Sequence, residues 1–262
     1  MTVALANVGR HGRMSLTFGM RNGQTIIRDS YCEVPFKVTR PVNSIQDGGI
    51  HLILMHCTAG IFGGDDLECS IRVESGARVY ITQQAATRIH PSDDGLARQS
   101  IRIHVESGAS LHVDLDPIIP FARSRYRQNT LIDLDPGGKL TYWECMMAGR
   151  IGHSEKWQFE EFGSETRLHV NGRTVFLDRY LLRPGAVNVS SPWVMGSATY
   201  AGTGLHCGPD SEYLAKELHD EIPNAGVNIV DSGVLVTRIV NDNGPEFHRQ
   251  RQTWNRYCGG GL

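Results

Sequence analysis

The string Glu-Ser-Gly-Ala occurs at Glu74–Ala77 and again at Glu106–Ala109, 32 positions later. Each copy sits between two short runs in which apolar and polar residues alternate. Ile71–Thr82 thus reads as strand, tight turn at Ser75-Gly76 and strand, and Ile101–Asp114 reads the same way around Ser107-Gly108. Leu131–Trp143 is a third copy, with Pro136-Gly137 at its turn, and weaker relatives lie at Asp47–Leu54 and Leu168–Leu177. Alternation with a period of two is the mark of a strand with one buried face. A unit of two strands and a turn that recurs at this spacing is the pattern of stacked β-coils or repeated hairpins. A sandwich or barrel also spaces its turns regularly, but the shared tetrad favours stacking. The expected fold is mainly β, a β-helical, solenoid-like stack of short strands with a few peripheral α-helices toward the C-terminus.

Two helices are expected. Pro209–Ile222 opens with capping residues and carries Leu214, Leu218 and Ile222 four apart. Pro245–Tyr257 follows a glycine and sets Phe247 and Trp254 seven apart. A strand over Asp231–Val240 lies between them. Residues 184–209, rich in Pro, Ser and Gly, read as a linker or mobile loop, and Gly259–Leu262 as a frayed end. Residues 1–262 are expected to form one domain, with a repeat core over about 30–183 and a mixed α/β part over about 210–258.

Composition narrows the function. Lys and Arg number 26 against 28 Asp and Glu. Nucleic-acid binding draws on a basic excess that displaces phosphate counterions, so no nucleic-acid partner is expected. Near-zero net charge gives little self-repulsion and suits life inside a complex. Residues 1–10 lack a basic segment followed by an apolar one, and no stretch approaches a membrane span, so neither a leader nor a membrane partner is expected. The six cysteines, Cys32, Cys57, Cys69, Cys145, Cys207 and Cys258, form no C-x-x-C pair and read as free thiols of a reducing cytoplasm.

The stretch His56–Leu67 (HCTAGIFGGDDL) places three glycines and two aspartates after an apolar strand. Such a loop can form an anion nest, but the lysine of a phosphate-binding loop is missing, and a turn that orders the sheet is the simpler reading. Adjacent Asp65 and Asp66 point to opposite faces of a strand, so one of them is expected to be structural. This stretch resembles the H-P-P-G-G-I-V-G-G-D-x-L signature of the UreD (UreH) urease accessory proteins. Further segments similar to family motifs follow in the family's order. They are Val38–Val42, Ile81–Ile89, Leu115–Phe121, Trp143–Arg150 and Phe176–Leu181. The resemblance is strong over about 35–185 and thinner beyond. Cys57-Thr58 replaces Pro-Pro, Ile89-His90-Pro91 stands for F-Y-R, and Asp178 stands where Glu is common.

The resemblance implies a β-helical scaffold that is not an enzyme. Its implied partners are UreF-type and UreG-type accessory proteins and apo-urease, with a homodimer within the complex as a further expectation. It also implies that nickel passes through the protein in transit rather than residing in it. Such a route needs oxygen and nitrogen ligands that bind moderately and let go. The repeat bears on this independently. Six residues beyond the turn glycine stand Thr82, Asp114 and Trp143, with Glu144 one further along, and the same count from Gly172 gives Asp178. In stacked coils equivalent positions lie close together. Asp114, Glu144 and Asp178, with Asp116 and Thr82 or Thr87, are therefore expected along one cation path. Salt bridges to Arg88, Arg150 and Arg179 are the structural alternative.

Of the eleven histidines, His51, His104, His112 and His169 alternate within strands and read as sheet residues. His56-Cys57 and His206-Cys207 each offer adjacent N and S donors without a second pair nearby; His56 and Cys57 are therefore added to the nickel path. The competing function is a β-helical carbohydrate-active hydrolase, with an acid–base pair drawn from Asp65, Asp66, Asp114, Asp116 and Glu144. No zinc-binding H-E-x-x-H sequence is present.

Overall fold

The computed structural model describes residues 10–43, 48–91 and 95–259. The expectations for the first nine residues, for Asp47 and for residues 260–262 lie outside them. The strands are β1 (His11–Arg21), β2 (Gln24–Cys32), β3 (Phe36–Val38), β4 (Val42–Asn43), β5 (Ile50–His56), β6 (Asp66–Val73), β7 (Arg78–Gln84), β8 (Thr87–Ile89) and β9 (Ala97–Val105). There follow β10 (Ser110–Asp114), β11 (Ile118–Pro120), β12 (Arg125–Leu134), β13 (Lys139–Met147), β14 (Glu161–Val170), β15 (Arg173–Leu182) and β16 (Tyr200–Cys207). Helix α1 (Ser211–Glu221), β17 (Gly226–Val230), β18 (Val234–Asn241) and α2 (Gly244–Cys258) complete the chain.

These elements form a β-solenoid of about four turns with its helices C-terminal, as expected. One sheet runs β15-β14-β12-β9-β6-β1-β2; the other runs β17-β18-β16-β13-β10-β7-β5-β3. In the middle of both sheets neighbouring strands are parallel. The repeated Ser-Gly turns and the Pro136-Gly137 turn are the corners that carry the chain from one sheet to the other. Gly76, Gly108 and Gly137 each take a positive φ of 73–81°, which a side chain resists. Successive corners stack, with Ser75 Oγ donating to the Ser107 carbonyl at 2.8 Å and Gly108 N to the Gly137 carbonyl at 3.2 Å. Alternation then does the rest. Leu67, Cys69, Ile71 and Val73 of β6 face the core, their neighbours face solvent, and the same holds along β9.

Four expectations are corrected. The turn at Asn171-Gly172 is a hairpin, since both residues take positive φ and β14 and β15 pair antiparallel. Asp178 therefore lies in the opposite sheet from Asp114. Asn22-Gly23 closes β1 and β2 in the same way, so the strands begin at His11 rather than near residue 30. Residues 184–209 are a loop only in part, for Tyr200–Cys207 is the strand between β13 and β18. Its Gly202 and Gly204 give it a loop-like composition. A Cβ on them would lie 2.3 Å from the Trp143 ring and 2.4 Å from the Trp254 ring. These glycines make room for a second core in which Trp143, Leu235 and Ile239 pack against Leu214 and Leu218 of α1 and Phe247 and Trp254 of α2. The expected strand at Asp231 starts at Val234, after a short 3-10 turn over Asp231–Gly233.

Candidate functional site: a polar track between the two sheets

The main core lies between the sheets and is apolar in its first coils, with Leu16, Leu52, Leu67 and Ile81 fully buried. In the later coils the inward positions turn polar. Register on the inner face of one sheet aligns Gln99, Gln128, Ser164 and Tyr180, and beside them Ile101, Thr130, Thr166 and Asp178. From the opposite sheet Tyr142 and Glu144 point at these rows, because two residues along a strand restore the same face. Tyr126 OH donates to Gln99 Oε1 at 2.7 Å, and Gln128 Nε2 lies 3.3 Å from Glu144 Oε2. Tyr142 OH donates to Glu144 Oε2 at 2.9 Å and Thr166 Oγ1 to Glu144 Oε1 at 2.7 Å.

Glu144 is deep inside the protein, with part of its surface open to a cavity. Burial pushes its carboxyl above the usual carboxylate range, Asp178 adds to the rise, and the Thr166 and Tyr142 hydroxyls and Arg238 oppose it. Two cavities meet at this residue. A narrow one of about 50 Å³ is lined by His56, Gln83, Thr87, Gln99 and Glu144. A wider one of about 370 Å³ is lined by Glu144, Ser164, Asp178, Thr203, Arg238 and Trp193. Gln128 and Glu144 belong to both walls.

The expected single column is split between two faces. Asp114 pairs in register with Thr82 and Trp143, so it faces away from Glu144. Asp114 and Asp116 are both held by Arg251 of α2, at 2.7 and 2.9 Å, and Asp116 also reaches the narrow cavity. Thr82 Oγ1 lies 2.8 Å from His51 Nε2. Glu144, Asp178 and Thr87 remain on the interior track, and Asp178 pairs with Arg238, not with Arg179.

His56 lines the narrow cavity with its Nδ1 lacking a hydrogen-bond partner among the described residues, and burial, then Arg10, pushes its pKa down to about 4. Cys57 is exposed. Both ring nitrogens of His206 are engaged, with Thr141 Oγ1 at 3.0 Å and Asp210 Oδ1 at 3.1 Å. All six cysteines are free thiols. Among the described residues no three His, Cys, Asp or Glu side chains gather closely enough to hold a metal ion. Arg238, Thr203, Gln128 and Thr166 escaped the sequence reading. The inward polar positions Gln128 and Thr130, in a strand otherwise apolar on that face, were the available signal.

The His56–Leu67 loop has a structural role. Asp65 is buried and accepts from Arg10 N at 3.0 Å, Arg10 Nη2 at 2.9 Å and Phe62 N at 2.9 Å, while Asp66 is exposed. Gly60, at φ 152°, lies where a Cβ would be 2.3 Å from the Arg88 carbonyl oxygen.

Residues 10–259 match the family model described as UreD urease accessory protein. The chain belongs to this family. It is similar to the urease accessory protein UreD of Deinococcus radiodurans, 32% identical over 254 residues that cover 95% of this chain and 91% of the relative. It is also similar to the UreD proteins of Acetivibrio thermocellus (29%, covering 80% of each chain) and Herpetosiphon aurantiacus (29%, covering 75% of this chain and 69% of the relative). The UreD match extends through β16, α1, β18 and α2, where motif resemblance alone was thin. These relatives are accessory proteins, and four of the five carboxylates considered for hydrolysis have other engagements here, while Asp66 is exposed. Asp65 is held by Arg10, Asp114 and Asp116 by Arg251, and Glu144 by interior hydroxyls. No helix among the described residues is long and apolar enough to cross a membrane.

Proposed function

We propose that this UreD-family chain is a non-catalytic scaffold of urease maturation in the cytoplasm. It passes Ni²⁺ from a UreF/UreG-type complex, in a GTP-dependent step, to apo-urease. The ion's route is the polar track between the sheets. The observation that carries this reading is Glu144, a carboxylate placed inside the core, on the shared wall of two cavities, with no cationic partner bonded to it among the described residues. Burying a carboxylate is costly unless it is paired or meets a metal, and burial outweighs the hydroxyls in pushing this carboxyl above its usual range. A route differs from a resident site in needing oxygen donors in series rather than around one point, so that the ion is held weakly at each. Gln128, Thr166, Glu144 and Asp178 supply such a series. His56 and Thr87 flank the narrow end. Cys57 and Thr82, on the outside, and Asp114 and Asp116, locked to Arg251, have weaker claims to contact the ion.

The test is urease activation in cells that carry a urease operon without its own UreD gene. The chain restores active, nickel-replete urease; the double variant E144A/D178A still captures the UreF-type and UreG-type partners and leaves urease nickel-poor. Equal activation by both would show that these carboxylates are structural.

A further inference from the structure

The wide cavity opens at the end of the solenoid where the second sheet outruns the first. There β18 carries Arg238 on the inward face, in register with Thr203 of β16. Its Nη1 reaches across the opening to Asp178 Oδ2 of β15 at 2.9 Å and lies 3.3 Å from Thr203 Oγ1. The guanidinium thus bridges the two sheets at the mouth and holds the outermost carboxylate of the track. A fixed positive charge at this point opposes the passage of any cation while it stays. Arg238, between the two sheets, and Arg251, between α2 and β10, differ in how firmly they are set. Arg251 is 10% exposed and grips Asp114 and Asp116, exposed by 12% and 30%. Arg238 is 44% exposed and has one carboxylate, Asp178, itself 15% exposed. A guanidinium that stands largely in water leaves its partner at lower cost than one buried with its carboxylates. Arg238 is the freer of the two.

We propose that the Arg238–Asp178 ion pair is the gate of the interior track: Arg238 occupies the mouth in the resting protein, and a divalent cation enters or leaves there by displacing the guanidinium from Asp178. This inference rests on the route proposed above and names the residue that controls it. With Arg238 swung out, Asp178 faces Glu144 across the cavity and Thr203 stands beside Glu144 on the neighbouring strand, an oxygen-rich surrounding suited to a divalent ion. In the resting protein the guanidinium supplies the balancing charge.

The experiment is equilibrium dialysis of the full chain against nickel sulfate. It compares wild type, R238M and R238M/D178N, with circular dichroism and a melting curve on each. R238M is expected to bind Ni²⁺ at least tenfold more tightly than wild type, and R238M/D178N to lose that gain. Should R238M melt early, R238Q serves instead, since it removes the charge and keeps a polar tip. Unchanged affinity in a folded Arg238 variant overturns the gate. So does a gain that survives D178N, because the ion would then sit elsewhere. Failure of the route itself is read from a different variant and a different quantity, normal nickel in urease matured with Glu144 replaced, so the two failures are distinguishable.

Discussion

Glu144 and Trp143 are neighbours with opposite fates. Trp143 packs under Trp254 and Phe247 on the outer face of its sheet, and Glu144 stands among hydroxyls on the inner face. Counting from the turn glycines located this pair in the sequence. The count falls on Trp143, however, and in a strand one residue's difference exchanges the faces. For that reason Asp114 and Glu144 were placed on one path although they face away from each other. Glu144 also makes a prediction about stability. Its folded pKa lies above the ordinary carboxylate value, chiefly through burial. The native state therefore holds this proton more tightly than the unfolded chain, and loses stability as pH rises through that range. Replacing it by Gln removes the buried charge and keeps the shape. The E144Q chain is expected to melt at or above the wild-type temperature at pH 7.5, as read by differential scanning calorimetry. A residue kept for packing alone would melt lower when changed.

Among the elements, the corner turns were legible because Ser-Gly recurs in a fixed frame, and α1 and α2 because their apolar spacing is helical. In the sequence the hairpin at Asn171-Gly172 looks like a further corner, since both turn types end in a glycine. What separates them is the second positive φ, which Asn tolerates and Ser does not favour. Strand β16 was hidden by Gly202 and Gly204, whose reason is two tryptophans distant in sequence. Long-range pairing of this sort leaves little local trace. Arg251 is likewise unreadable from α2 alone, yet it joins that helix to β10 by ion pairs with Asp114 and Asp116. Breaking a buried pair leaves an uncompensated charge at a cost of about 3–5 kcal/mol. R251M should show a loss of that size in urea unfolding, and R251M/D114N should recover part of it. A loss under about 1 kcal/mol, ordinary for a surface pair, would mean that the helix is held by its apolar face alone.

At the scale of the whole molecule, the C-terminal helix and the solenoid are also joined through a histidine. His112 lies 3.0 Å from Asn255 Oδ1 through Nε2, while its buried Nδ1 has no hydrogen-bond partner among the described residues. Burial pushes its pKa from 6.5 down to about 4, with His206 and His51 adding to the fall and Asn255 and Asp114 opposing it. His206 is lowered as well, first by burial. A histidine whose folded pKa is depressed stabilises the native state above 6.5, and that contribution drains away as pH falls toward the folded value. For His112 the full loss corresponds to about 3 kcal/mol. Stability measured by urea unfolding should thus decline between pH 6.5 and 5, and H112Q should flatten that part of the curve. The same slope in wild type and H112Q would place the acid sensitivity elsewhere.

The central claim is that nickel travels between the sheets and meets Glu144 on the way. Its most direct test is the nickel content of urease purified after maturation with the wild-type chain, with E144Q, or with D133N, which alters a half-buried acid on the outer face paired with His169. Each is assayed beside a pull-down that confirms the maturation complex. The interior route predicts urease depleted of nickel with E144Q alone, while D133N matches wild type. Full nickel loading with E144Q in an intact complex would contradict it.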